Sequence, residues 1–126
     1  ETMVRSVLAR VRLADEDEAD RAIRSVLFAL ADGISHDEAH DMASQLPKEY
    51  KDLVMGRLGE ARPVQRMSWS AFVGRVQTDM GLETREAAER VTRGVFTTLK
   101  DAVSPGEMED VVEELPLDLR ETMRTA

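Results

Sequence analysis

The chain has 126 residues, a formal net charge of −8 and no cysteine. Its length suits one domain or two small subdomains that share a core. The lack of cysteine excludes disulfides, thiolate zinc ligands and cysteine nucleophiles, and the acidic balance argues against binding to nucleic acid or anionic membranes. No apolar run reaches the roughly 18 residues of a membrane-spanning helix. Because the chain begins with Glu1 rather than Met, we expect that the native start has been trimmed.

The sequence repeats itself at a spacing of 69 residues. Residues 3–51 align with residues 72–120 without a gap, and 14 of the 49 aligned pairs are identical. The composition, rich in Val, Leu, Ala and Met, favours helices over strands. We therefore predict an all-α fold of two tandem units of about four helices each, packed about a pseudo-twofold axis. Repeat 1 covers 1–58, a linker covers 59–68, and repeat 2 covers 69–126, with one core shared by both repeats.

The first two helices of each half are predicted from apolar residues at helical spacing. The first helix runs from Thr2 to about Leu13, and its copy from about Trp69 to Met80. The second helix begins at the N-cap Asp15, and we expect it to end at Gly33 in a left-handed C-cap. The long second helices carry the widest apolar stripes, so we expect them to be central.

The third and fourth helices of each half are marked by a serine and a proline. A serine begins the third helix, at Ser35 and at Ser104, and a glutamate three residues later completes a capping box. Each third helix ends before a Leu-Pro pair, since proline disfavours the helical region for the residue before it. We expect Pro47 and Pro116 to be the first residues of short fourth helices.

The combination of these motifs resembles a bacterial family, DUF2267, a domain of unknown function. The first motif is an apolar first helix, and the second is an apolar stripe along the second helix, formed by Ala19, Val26, Leu27 and Leu30. The third is a Gln-Leu-Pro sequence after a helix that begins with serine, formed by Gln45, Leu46 and Pro47. The second half has Glu114 where this pattern has glutamine. The resemblance implies a small, all-helical, cytoplasmic bacterial protein, whose relatives accompany stress-response genes. It brings no catalytic residues.

The two histidines are the sharpest candidates for chemistry. His36 and His40 are four residues apart, the spacing by which H-E-x-x-H proteases present two zinc ligands on one helix face. Asp37 stands in place of the glutamate base and is shorter by one methylene, while His36 lies in the exposed first turn. We therefore predict a structural or surface role and no metal site; if a metal binds, Asp41 is the expected third ligand.

Four arginines recur at equivalent positions of the two second helices, each four residues after an acidic residue; they are Arg21, Arg24, Arg90 and Arg93. Pairs in this order stabilise a helix by a few tenths of a kcal/mol each. A solvated face is the plainer interpretation. The alternative is a cluster near the pseudo-twofold axis that binds an anion or a partner's carboxylate. Trp69, the only tryptophan, is predicted to pack between the halves rather than to bind a ligand.

No sequence motif supports catalysis. No serine has a base beside it in sequence, and no phosphate-binding glycine loop is present. We therefore predict a non-enzymatic interaction or regulatory module, without cofactor, that binds an unidentified protein or itself, and neither nucleic acid nor membrane. The alternative is a helical bundle that binds a small ligand or metal, either between the repeats or at His36 and His40.

Overall fold

The computed structural model describes residues 2–60 and 62–126. This part of the chain forms eight α-helices and no strand, which confirms the all-α prediction. The helices are α1 (Thr2–Arg10), α2 (Glu16–Gly33), α3 (His36–Ser44), α4 (Lys48–Leu58), α5 (Trp69–Met80), α6 (Arg85–Ala102), α7 (Pro105–Glu113) and α8 (Leu117–Thr125). Glu1 of the predicted first repeat and Ala61 of the predicted linker lie outside the described residues. None of the described helices combines the length and the apolar character needed to cross a membrane.

Local side chains begin most of these helices. Asp15 accepts a hydrogen bond from the amide of Glu18 at 2.9 Å, which satisfies one of the unpaired amides of the first turn of α2. Four further helices have such a cap, supplied by Ser35, Ser68, Thr84 and Ser104. The helices α4 and α8 begin one residue later than predicted, because Pro47 and Pro116 occupy the N-cap positions.

The end of α1 differs from the prediction. The helix ends at Arg10 rather than near Leu13. Directly after it, Val11 packs so closely on Gly94 of α6 that a Cβ at position 94 would lie 2.2 Å from the Val11 Cγ2. The close approach of the chain to α6 therefore coincides with the point where α1 stops.

The prediction of a left-handed Gly33 is wrong. Among the described residues, Gly81 alone has a positive φ, at 65°. Gly33 is the last residue of α2, and the linker crosses it, with the Gln65 amide donating to the Asp32 carbonyl at 2.8 Å. A Cβ at Gly33 would lie 3.4 Å from the Gln65 carbonyl oxygen. Gly33 therefore lies in contact with the linker and does not adopt a positive φ.

The two long helices lie at the centre of the fold, as predicted. α2 packs on α6, and both contact α1 and α5. The shorter helices surround this centre: α3 packs on α4 and α7, and α8 packs on α5, α6 and α7. The core contains the large, fully buried side chains Ile23, Leu27, Leu30, Phe96 and Leu99. The contact between α3 and α7, named here the α3–α7 seam, joins the two halves on one side of the molecule.

Candidate functional site

A groove of about 770 Å³ lies between the end of α1, one face of α6 and the last residues of the chain. Four arginines line it, and we call it the arginine groove: Arg10, Arg12, Arg90 and Arg93. Arg12, Arg90 and Arg93 are exposed, and the side chain of Arg10 is 33% exposed. Their convergence is notable in a chain with a net charge of −8.

The four guanidinium groups differ in how far they are neutralised. Arg10 pairs with Asp101 at 2.7 Å. Arg93 lies 3.8 Å from a Glu89 oxygen, and its guanidinium sits 5.0 Å over the Trp69 ring. Arg12 and Arg90 make no ion pair or hydrogen bond with the residues that the structure describes. Two positive charges in the groove therefore lack a described counter-charge.

The equivalent arginines of the first half lie elsewhere. Arg24 is paired with Asp20 at 2.7 Å and with Glu49 at 3.0 Å. Arg21 is exposed and, like Arg24, is not among the residues that line the groove. The structure thus brings Arg90 and Arg93 together with α1 rather than with the arginines of α2.

Sequence reasoning missed two members of the groove. Arg10 and Arg12 have Asp79 and Gly81 as their equivalents 69 residues later, so these two arginines are not part of the repeated pattern. The signal was nevertheless present, as a charge difference between two otherwise related segments. Trp69 is half-buried, with its ring centroid 6.4 Å from that of Phe96.

The two histidines contact different groups. The Nε2 of His36 lies 3.1 Å from the Leu58 carbonyl oxygen, within a cleft of about 400 Å³. The exposed His40 has its Nδ1 4.0 Å from an Asp41 oxygen. His36 is therefore engaged with the end of α4, and no described contact joins the two rings in one site.

Two glutamates at equivalent positions of the repeat meet in the α3–α7 seam. Glu38 of α3 and Glu107 of α7 form what we call the acid pair, with one oxygen of each within 4.8 Å of the other and of an Asp41 oxygen. The Oε2 atoms of both glutamates are buried and have no hydrogen-bond partner among the described residues. Two ionised carboxylates in this arrangement would repel each other, which favours the retention of a proton.

The electrostatic surroundings act in the same direction. Burial raises the pKa of Glu38 to about 8, and the hydrogen bond with Glu107 and the negative charges of Asp110 and Glu114 add to the effect. The protonated form of Glu38 is therefore favoured at neutral pH. We interpret the cluster as a pair of carboxyl groups that can share one proton.

Hydrogen bonds are exchanged between the halves on either side of the acid pair. The Ser35 amide and hydroxyl donate to the Glu114 carboxylate at 2.7 and 3.1 Å. At the equivalent position, the Ser104 amide donates to the Gln45 side-chain oxygen at 2.7 Å. The capping boxes predicted within each half are thus only half right. Each serine hydroxyl caps its own helix, but the partner of its amide comes from the opposite half.

A buried ion-pair cluster fixes the end of α2. Both oxygens of Asp32 accept hydrogen bonds from Arg57 of α4, at 2.8 and 2.7 Å, and Arg75 of α5 lies 2.9 Å away. Burial acts to raise the pKa of Asp32, but the hydrogen bonds from the two arginines outweigh it and hold the pKa below the usual value. The carboxylate therefore remains ionised and joins three helices.

These features define an all-helical protein with a cationic groove on one side and a buried pair of glutamates between its halves. A family model described as "Uncharacterized conserved protein (DUF2267)" matches residues 1–122. The chain therefore belongs to the DUF2267 family, as its motifs predicted. A search of curated proteins gives no match.

Proposed function

We propose that this protein is a non-enzymatic binding module that docks an acidic segment of a partner protein in the arginine groove. The observation that carries the proposal is the pair of exposed guanidinium groups of Arg12 and Arg90, which have no counter-charge among the described residues. Arg10 and Arg93 lie beside them and are only partly neutralised. An acidic segment would supply the missing carboxylates.

The chemistry of arginine supports carboxylate binding. A guanidinium group donates two parallel hydrogen bonds to one carboxylate, which fixes orientation as well as charge. Exposed pairs contribute up to about 1 kcal/mol each, so specificity requires several of them in one place. The rest of this acidic chain repels acidic partners. A segment rich in Asp or Glu is therefore directed to the groove.

The first test is a binding titration with a fluorescein-labelled decaglutamate peptide, followed by anisotropy. We expect binding at low salt that weakens steeply as salt is added. The double variant Arg12→Gln/Arg90→Gln is expected to bind about tenfold more weakly. The emission of Trp69 gives a second readout, because this sole tryptophan lies beneath the Arg93 guanidinium.

Arg21→Gln is the matched control. Arg21 is exposed, occupies the position equivalent to Arg90, and lies outside the groove. Its replacement removes one positive charge without touching the proposed site, so binding is expected to change less than twofold. Equal losses in Arg21→Gln and in Arg90→Gln would show unspecific attraction, and the absence of binding by the wild type at low salt would reject the proposal. Sedimentation velocity would reveal a second copy of the chain as the occupant.

We also infer that the eight helices form two quasi-equivalent units about a pseudo-twofold axis. The contacts support this arrangement, because α1 packs on α6 as α5 packs on α2, while α2–α6 and α3–α7 are contacts between equivalent helices. The exchanged hydrogen bonds from Ser35 to Glu114 and from Ser104 to Gln45 also support it. The division into repeats over 1–58 and 69–126 with a linker over 59–68 stays a prediction.

A further inference from the structure

We propose that the acid pair is a pH-sensitive contact, in which Glu38 and Glu107 hold α3 against α7 by sharing one proton and release the seam when that proton is lost. This device is separate from the arginine groove, which lies on α1 and α6. It rests on the position of two equivalent glutamates that face each other between the halves.

The geometry makes the proton necessary. Both Oε2 atoms are buried and lack a donor among the described residues. With one proton, one carboxyl donates to the other across the seam; without it, two negative charges face each other in a partly desolvated space. The exchanged hydrogen bonds of Ser35 and Ser104 hold the surrounding helix ends in register. The two glutamates therefore have little room to move apart when the proton is lost.

Three further carboxylates act on the pair. Asp41 on α3 places an oxygen within 4.8 Å of both glutamates, and Asp110 and Glu114 on the α7 side add negative charge at Glu38. His40 lies beside Asp41, with its Nδ1 4.0 Å from an Asp41 oxygen, and it carries a positive charge when it is protonated. It therefore belongs in the test.

Most cations of the neighbouring helices are engaged with other groups. On α2 and α4, the ion pairs are Arg24 with Asp20 and Glu49, Lys48 with Asp52, and Arg57 with Asp32. On α8, Arg120 donates to the carbonyls of Glu113 and Leu115, and Arg124 pairs with Glu109. Three neighbouring cations make no ion pair with the described residues: Arg21 of α2, Lys51 of α4 and Arg66 of the linker. Arg66 lies in the same surface cleft as Glu113 and Glu114.

The direction of the pH dependence follows from linkage. In the folded protein the pKa of Glu38 is about 8, against 4.5 for an unperturbed glutamate. Between these values the folded chain binds a proton that the unfolded chain does not, so its stability falls as the pH rises. Above about pH 8 both states are deprotonated at this position, and its contribution levels off.

The experiment is thermal unfolding of the wild type, Glu38→Gln and Glu107→Gln from pH 5 to pH 9. We expect the wild-type Tm to fall by about 5 °C more than that of Glu38→Gln between pH 5 and pH 8. The neutral amide keeps a donor in the seam at every pH, so the variant should be more stable than the wild type at pH 8. Glu83→Gln, at an exposed glutamate in the turn before α6, is expected to retain the wild-type profile, and His40→Gln tests the neighbouring imidazole.

Amide hydrogen exchange locates the effect. At pH 8.5 the segments of α3 and α7 are expected to exchange faster in the wild type than in Glu38→Gln, with α2 and α5 unchanged. The proposal would be overturned if the Tm of the wild type and of both glutamine variants fell equally with rising pH. It would also be overturned if His40→Gln abolished the pH dependence of the Tm. A rise in Tm on addition of Ca²⁺ or Mn²⁺ at pH 7.4, absent from Glu38→Gln, would also overturn it, because the seam would then bind a cation through ionised carboxylates.

Discussion

Replacement of Asp32 by alanine is expected to lower the free energy of unfolding by about 3–5 kcal/mol, because it leaves two arginines at a buried site without their shared carboxylate. The side chain of Asp32 is only 6% exposed, and those of Arg57 and Arg75 are 22% and 24% exposed. Removal of Asp32 takes away the ionic contacts that join α2, α4 and α5 at this point. Urea denaturation followed by circular dichroism at pH 7 measures the effect.

The second repeat supplies the matched control for this prediction. Asp101 is the residue 69 positions later, and its single ion pair with Arg10 is exposed, with 65% of the aspartate side chain accessible. Asp101→Ala is therefore expected to cost less than about 1 kcal/mol. Similar losses in the two variants would contradict the assignment of Asp32 as a buried structural charge. Because its pKa is lowered on folding, the contribution of Asp32 should be lost only in acid, as the pH falls through that lowered value.

The local features of the fold were predictable from the sequence because they depend on residues close together in the chain. Ser35 and Ser104 begin their helices as expected, since a serine hydroxyl reaches an amide only three residues away. The same locality explains the predicted start at Asp15. The paired identities 69 residues apart indicated which helices would correspond, and the central position of α2 and α6 follows from their wide apolar faces.

The seam could not be predicted in the same way, because its partners come from opposite halves. Spacing along the chain predicts Glu38 and Glu107 as the partners of Ser35 and Ser104 in local capping boxes. In the structure the amides of these serines donate to side chains of the opposite half. Once α3 packs on α7, equivalent residues meet each other. The sequence does show identical glutamates at equivalent positions of the two third helices. That these glutamates face each other follows only from the packing of α3 on α7.

The arginine groove combines predicted and unpredicted residues for a related reason. Arg90 and Arg93 are predicted as candidates because both halves have arginine at these positions. Arg10 and Arg12 are not repeated, since the second half has Asp79 and Gly81 in their place. The groove depends on the close crossing of the end of α1 over α6 at Gly94. A long-range approach of this kind leaves no periodic pattern in the sequence.

That crossing gives the second large expected effect. Gly94→Ala is expected to lower the free energy of unfolding by about 2 kcal/mol, because the new Cβ would lie 2.2 Å from the Val11 Cγ2, and Val11 is a stiff, β-branched residue. The loss occurs although alanine favours a helix over glycine by about 1 kcal/mol. Gly74→Ala in α5 is the control: a Cβ there meets no atom within 4 Å, so this substitution should stabilise the protein by about 0.5–1 kcal/mol.

A double-mutant cycle with Val11→Ala identifies the origin of the loss. Val11→Ala alone is expected to destabilise the protein, because it removes two buried methyl groups. Combined with Gly94→Ala, it also removes the clash, so the double variant should be more stable than the sum of the single effects predicts, by at least about 1 kcal/mol. Additive effects would mean that α1 and α6 do not cross at Gly94 as described. In that case the arginine groove, whose two walls meet at this residue, would lose its structural basis together with the proposed docking site.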